Sequence, residues 1–220
     1  MTITFATGHG DLAYLRQFAV ASFMHKALNS MPEIYYFMAS PSKEDSVLRL
    51  ILENSPLKEW HFEEIVKQAK VTKAVANKWL KKYIKEGLLK RKKNKGKFPH
   101  FTAGSNNPAY QSKKRIYALQ KLYDSGLMQE LASLSRAKTI IIFGSTIKGD
   151  WYRDSDIDIF VYGSAEGFNK SKYETILKRS IELHVFENRR EIKEIKTGLI
   201  KNVTNGYLVK GRMQDLAEAS

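Results

Sequence analysis

The chain has 220 residues, 43% of them hydrophobic, with 37 Lys/Arg against 23 Asp/Glu and no cysteine. Length and apolar content support one or two packed domains. The lack of cysteine excludes disulfides and thiolate metal sites, and no run of about 18 apolar residues is available to cross a membrane as a helix. A formal net charge of +14 points to a polyanionic partner, and a cysteine-free chain of this kind is expected in the cytoplasm, away from membranes.

Residues 1–40 show no helical period and no basic start of a signal peptide. They are expected to form a poorly ordered N-terminal segment, with Met24, Met31 and Met38 as alternative starts. No internal repeat occurs.

Residues 41–103 carry the charge. Between Lys67 and Lys97 there are 13 Lys/Arg against Glu86 alone, whereas from Ala137 onward 14 basic residues face 12 acidic ones. Ser42 and Asp45 have the spacing of a capping box and predict a helix through Val47, Leu48, Ile51 and Leu52. A second helix is predicted from about Glu59 to Ala69. Thr72 caps a third, whose apolar stripe is Val75, Ala76, Trp79, Leu80, Tyr83 and Ile84. Gly87 follows it in the usual terminating position. Two strands, Leu88 to Lys92 and Lys97 to Thr102, are predicted around a turn at Asn94–Gly96.

Three helices and a basic hairpin in this order resemble a winged helix-turn-helix domain. That resemblance implies double-stranded DNA as partner. The recognition helix would present Lys73, Asn77, Lys78, Lys81 and Lys82, and the wing Lys90, Arg91, Lys92, Lys93, Lys95 and Lys97. Lysines supply salt-sensitive affinity, and Asn77 is the base reader expected, since Asn pairs with adenine in bidentate fashion. The competing reading is a winged fold used for protein contacts, with the lysines as a solvated face.

Ala103–Pro108 reads as a linker. Residues 104–136 form a linker and helical connector, helical over about Ala109 to Ser135. Its apolar positions are Ile116, Leu119, Leu122, Tyr123, Leu127, Leu131 and Leu134, and Gly126 is a point of division.

From residue 137 the pattern changes. Lys138 to Phe143 is an isoleucine-rich run of a buried strand. Gly144–Ser145 turns the chain, and free backbone N–H groups in such a turn hold phosphate oxygens. A second strand is predicted from Asp156 to Tyr162, with Asp156 and Asp158 projecting to one face and Ile157 and Ile159 to the other. Paired carboxylates on a strand suit Mg²⁺, which binds through one or two carboxylates plus substrate phosphates.

Gly144, Ser145, Gly149, Ser155, Asp156 and Asp158 match the signature of the DNA polymerase beta-like nucleotidyltransferase superfamily in its minimal form. The resemblance implies transfer of a nucleoside monophosphate from an NTP, expected to be ATP, with two Mg²⁺ ions held by Asp156, Asp158 and a third carboxylate. Glu182, on a strand from Ile181 to Phe186, falls where the family usually carries Asp. It would complete the metal site or deprotonate the acceptor. His184, on the same face, reads as a solvated or packed histidine. The resemblance places the nucleotide against Gly144, Ser145, Lys148, Gly149 and Ser155. Lys148 either neutralises the triphosphate or is an ordinary loop lysine. A helix over Arg189–Ile200, a strand at Tyr207–Val209 and a frayed tail from Gly211 complete the reading.

The expected architecture is therefore α+β: a winged-helix N-terminal domain, then a small α/β nucleotidyltransferase domain with a mixed sheet over 137–220. The transferase part is too small to hold a primer and template. A homodimer, or a protein partner or acceptor, would supply what it lacks. The alternative function is a DNA-binding regulator or antitoxin-like protein whose transferase domain senses nucleotide or is inactive.

Overall fold

The computed structural model describes residues 42–219, with side chains to Leu216. The expectation for residues 1–40 lies outside the described residues.

The first group of elements begins with α1 (Lys43–Glu53), which opens on the predicted capping box. Asp45 N donates to Ser42 Oγ, while Ser42 N and Oγ donate to the Asp45 carboxylate. A two-residue strand β1 (Trp60–His61) follows, then α2 (Phe62–Ala69). The sequence runs this helix back to Glu59. Instead, Trp60 and His61 pair with Phe101 and His100 of β3 (His100–Ala103), and this ladder takes the backbone groups that a helix would have used. Thr72 caps α3 (Lys73–Lys85), accepting from Val75 N. Gly87 has φ +74°, where glycine is unstrained. β2 (Leu89–Lys92) and β3 form the hairpin, and the antiparallel sheet has the order β1-β3-β2.

Val47, Ile51, Leu52, Trp60, Ile65, Leu80, Tyr83, Leu88 and Tyr110 make the core of this group. Trp79 packs at its edge and stacks on Tyr83, so both aromatics of α3 serve packing, as their place on the stripe predicts.

The connector is two helices, α4 (Pro108–Asp124) and α5 (Leu127–Ser133), divided at Gly126 with φ +81°. The buried stripe of α4 differs from the sequence reading. Tyr110, Lys114, Ala118 and Leu122 are buried, while Ile116 and Tyr123 are exposed. That single face runs from Tyr110 in the core of the first group, past Lys114 at Trp151, to Leu122 in the core of the second sheet. A lysine sits in it, so hydrophobicity alone does not find it.

The second sheet has the order β6-β5-β4-β7, built from β4 (Ala137–Phe143), β5 (Ile157–Gly163), β6 (Ile181–Phe186) and β7 (Tyr207–Lys210). β5 and β6 are parallel and the other pairs antiparallel, so the sheet is mixed as expected. Ile140, Ile142, Ile157, Ile159 and Ile181 face one side with Leu122, Leu127, Leu131 and Tyr173 of α7 (Lys170–Leu177). Ile141, Phe143, Phe160 and Tyr162 face the other, under Ile192, Val203 and Leu216.

Two expectations at the C-terminal end are corrected. The predicted helix over Arg189–Ile200 is two short ones, α8 (Arg189–Lys193) and α9 (Thr197–Thr204). The expected frayed tail contains α10 (Gln214–Ala219), where Asp215 accepts from Thr139 Oγ1 and Arg212 N and Leu216 is buried on the sheet. No helix among the described residues is long and apolar enough to cross a membrane.

Candidate active site

β4 ends at Phe143, and the chain reverses through Gly144 at φ +74°, ψ −151° into α6 (Ser145–Lys148). Only glycine fits here. Any side chain would be strained at this φ and would collide with the Asp158 carboxylate. Lys148 N donates to Gly144 O at 3.1 Å and Gly149 N to Ser145 O at 2.9 Å. Gly149, at φ +83°, ends this single turn. The two glycines of the motif thus hold a tight backbone loop directly against one carboxylate.

Asp158 stands on β5 opposite Phe143 of β4, and its parallel partner on β6 is Glu182. Neighbours across a ladder share a face, so register delivers the two carboxylates together. Burial, reinforced by Glu182 and then Asp156, holds Asp158 above the usual carboxylate range, while His184 and Arg179 oppose the rise. Asp156 is exposed and precedes β5, which starts at Ile157. The group that closes to within 4.8 Å is Asp158, Glu182 and His184. Asp156 is outside it, and His184, which the sequence sets aside, is in it. Two carboxylates and an imidazole converging on one point fit a divalent cation.

The remaining expected nucleotide contacts are differently engaged. Ser155 Oγ accepts from Tyr152 N at 2.8 Å and so closes the Tyr152–Ser155 turn. Lys148 Nζ donates to Asn202 Oδ1 at 2.9 Å, and its carbonyl accepts from Arg115 Nε. Ser145 stays half-buried at the start of the turn.

Sequence reasoning misses Arg179. Its Nε donates to Ser155 O (2.6 Å), and its Nη2 donates to Thr146 Oγ1 and Asp156 O (both 2.8 Å). The guanidinium lies 5.2 Å from the Trp151 ring centre. Burial lowers its pKa to about 10, against the pull of Asp156 and Asp158, so it stays charged at neutral pH. One side chain therefore ties the phosphate-sized turn to the carboxylate loop. Arg179→Ala is expected to destabilise the fold by about 2–3 kcal/mol, because three acceptors lose their donor. Arg179→Lys should recover only part of this, since an ammonium cannot reproduce the planar fork. An unchanged unfolding midpoint in both variants contradicts the clamp.

Behind the loop, Lys114 is 1% exposed among Tyr110, Trp151 and Tyr152, with Nζ 5.7, 5.0 and 5.2 Å from their ring centres. Burial drops its pKa to about 8, partly offset by Asp150. Tyr110 Oη and Trp151 Nε1 are buried without a hydrogen-bond partner among the described residues. The same loop reaches α1: Arg153 N donates to Glu53 O (2.9 Å), Tyr117 Oη donates to Glu53 Oε1 (2.9 Å), and Tyr117 stacks on Trp151.

The expected nucleic-acid residues are all exposed. Lys73 pairs with Glu63 (2.7 Å) and Lys82 with Glu44 (2.9 Å). An open cleft of about 920 Å³ lies beside α3, where Asn77, Lys81, Ile84, Arg91 and the largely exposed Phe98 border it.

Residues 125–209 match the family model described as "Nucleotidyltransferase domain". The chain carries a nucleotidyltransferase domain. The match covers less than half of the chain and begins before the expected boundary at 137, taking in α5, whose Leu127 and Leu131 lie in the sheet core. No curated protein matches the chain. Among solved structures, one described as a toxin–antitoxin with AMP-PNP is 23% identical, with 48% of this chain and 79% of that chain covered and a TM-score of 0.30. A mutant of the toxin–antitoxin MntA–HpeT is 21% identical over the same shares, also with a TM-score of 0.30.

Proposed function

We propose that the chain moves a nucleoside monophosphate from an NTP, ATP being the expected donor, to an acceptor hydroxyl with divalent metal at the carboxylates. In this reading residues 41–103 form a winged helix-turn-helix domain that binds double-stranded DNA, 104–136 connect, and 137–220 transfer. One observation carries the transfer: the Gly144–Ser145 turn lies directly against Asp158, with Glu182 in register beside it. A phosphate held by the turn is thereby brought next to the metal-binding carboxylates.

Asp158, with Glu182 and the nearby Asp156, would hold Mg²⁺, which supplies charge neutralisation between the triphosphate and the attacking oxygen. The backbone at Gly144 and the Ser145 hydroxyl take the phosphate oxygens. Arg179 keeps that turn and the Asp156 backbone in fixed relation, a positioning role. The acceptor oxygen bonds to the α-phosphorus, the α–β phosphoanhydride bond breaks, and pyrophosphate leaves. The hydroxyl proton passes to Glu182 or to solvent.

For nucleic acid, the support is the run of exposed lysines on α3 and the β2–β3 arm, joined by a three-stranded sheet. Lys78→Ala with Lys81→Ala should weaken binding to a generic duplex and make log Kd less steep against log salt by about 2, near one unit per lost phosphate contact. Fluorescence anisotropy from low to physiological salt measures it. An unchanged slope removes both lysines from the interface.

A second reading, a nucleotide-sensing or antitoxin-like regulator, is favoured by the place of Asp156 outside the converging group and by Glu182 in the third carboxylate position. The apolar border of the cleft at Ile84 and Phe98 favours a protein partner on the same face.

A further inference from the structure

We infer that His184 is a direct metal ligand and that it biases this site toward Mn²⁺ over Mg²⁺. The inference rests on the metal-assisted reading of the carboxylate site and names which ion that site prefers.

His184 lies two residues beyond Glu182 on β6, so strand alternation returns it to the face shared by Asp158 and Glu182. The ring packs against Phe143, with centroids 5.3 Å apart, and this contact limits how the imidazole can turn. Nε2 is 3.6 Å from Glu182 Oε1 and 3.9 Å from Asp158 Oδ1.

Those separations are the informative part. An imidazolium paired with carboxylates closes to about 2.7–2.9 Å, and neither contact is that short. Donor atoms around a common cation, each about 2.1–2.2 Å from it, stand about 3.0–3.6 Å apart as neighbours and about 4.3 Å apart when opposite. The three donors here, all within 4.8 Å, are spaced nearer to the second pattern than to the first. Glu182 is exposed and able to close the remaining few tenths of an ångström.

Ligand type then decides the ion. Mg²⁺ takes oxygen ligands and keeps its waters. Imidazole nitrogen favours first-row transition ions, and among them Mn²⁺ is the one that shares with Mg²⁺ its preference for carboxylate and water. A set of two carboxylates and one imidazole leaves Mg²⁺ with a poor ligand and Mn²⁺ with an acceptable one.

The test uses the full chain, stripped of metal and without nucleotide. MnCl₂ and MgCl₂ are titrated by calorimetry, and bound Mn²⁺ is examined by electron spin-echo spectroscopy for modulation from a coordinated ¹⁴N. The expected result is Mn²⁺ binding at least about tenfold tighter than Mg²⁺, with ¹⁴N modulation. In His184→Gln the modulation should vanish and Mn²⁺ affinity should fall about tenfold, the low end of what disturbed metal ligation costs, while Mg²⁺ affinity stays within about twofold. Mn²⁺ binding without nitrogen modulation in the wild type, or modulation that persists in His184→Gln, overturns the role of His184 and leaves the carboxylate site standing. Failure of the wild type to bind either ion overturns this inference together with the metal-assisted reading. Because the wild-type spectrum decides the ligand directly, a poorly folded variant does not rescue the proposal.

Discussion

Asp156→Asn with Asp158→Asn is expected to reduce NTP-dependent pyrophosphate release by more than about 10³-fold and to leave duplex affinity unchanged. Removing one preorganised electrostatic group from an active site costs about 10²–10³-fold. Here two negative charges leave a site that already concentrates charge, with Asp158 held above its ordinary pKa by burial and by Glu182. The exchange keeps shape, so folding is spared, and Arg179 grips the backbone carbonyl of Asp156, not its carboxylate. Steady-state pyrophosphate release on both proteins, with anisotropy on the same samples, checks it. Comparable turnover in the double variant removes these residues from the chemistry.

The second large effect concerns stability. Lys114 has a folded-state pKa of about 8, against an ordinary value of 10.5. Between those two pH values the unfolded chain binds more protons than the folded one, so stability rises with pH through this window. Below about pH 8 the cost of the buried charge is fully present, and its size is about 3 kcal/mol. The surrounding rings return part of that through cation–π attraction. Lys114→Met has similar volume and no charge. It should stabilise the protein by about 1–3 kcal/mol at pH 7, as replacement of buried charges by apolar groups often does, and the gain should shrink toward pH 10.5. Tyr83, Tyr110 and Tyr173 are all raised by burial and titrate in both proteins, so the difference between the two isolates Lys114. Denaturant unfolding at pH 7, 8.5 and 10 measures it. A variant that is less stable at pH 7 contradicts the account.

What the sequence discloses follows from which physical constraints are local. Gly144 and Asp158 are legible because turn geometry and strand alternation set their relations within a few residues, and Gly149 through the resemblance. The capping box at Ser42 and the stop at Gly87 are legible for the same reason. Glu182 is found by alternation and the resemblance together. Arg179 and Lys114 are hidden because their partners, Thr146 and Ser155 for one and Trp151 and Tyr152 for the other, are decided by packing between distant elements. The same packing exposes Ile116 and buries Leu216. His184 is hidden as well, because a lone histidine on a strand carries no signal until register sets it beside Asp158. The Arg189–Ile200 stretch reads as one helix because helical composition does not reveal the break between Lys193 and Thr197.

Nucleotide binding followed by thermal unfolding tests the central claim most directly, since it needs no knowledge of the acceptor. Each NTP is added with and without divalent metal to the wild type and to the Asp156→Asn, Asp158→Asn variant. A ligand at about 100 times its Kd stabilises the native state by about 2.7 kcal/mol. A metal-dependent rise of the midpoint with at least one NTP, absent in the variant, is the predicted result. No rise with any nucleotide, or an equal rise in the variant, would contradict a donor site built on these carboxylates.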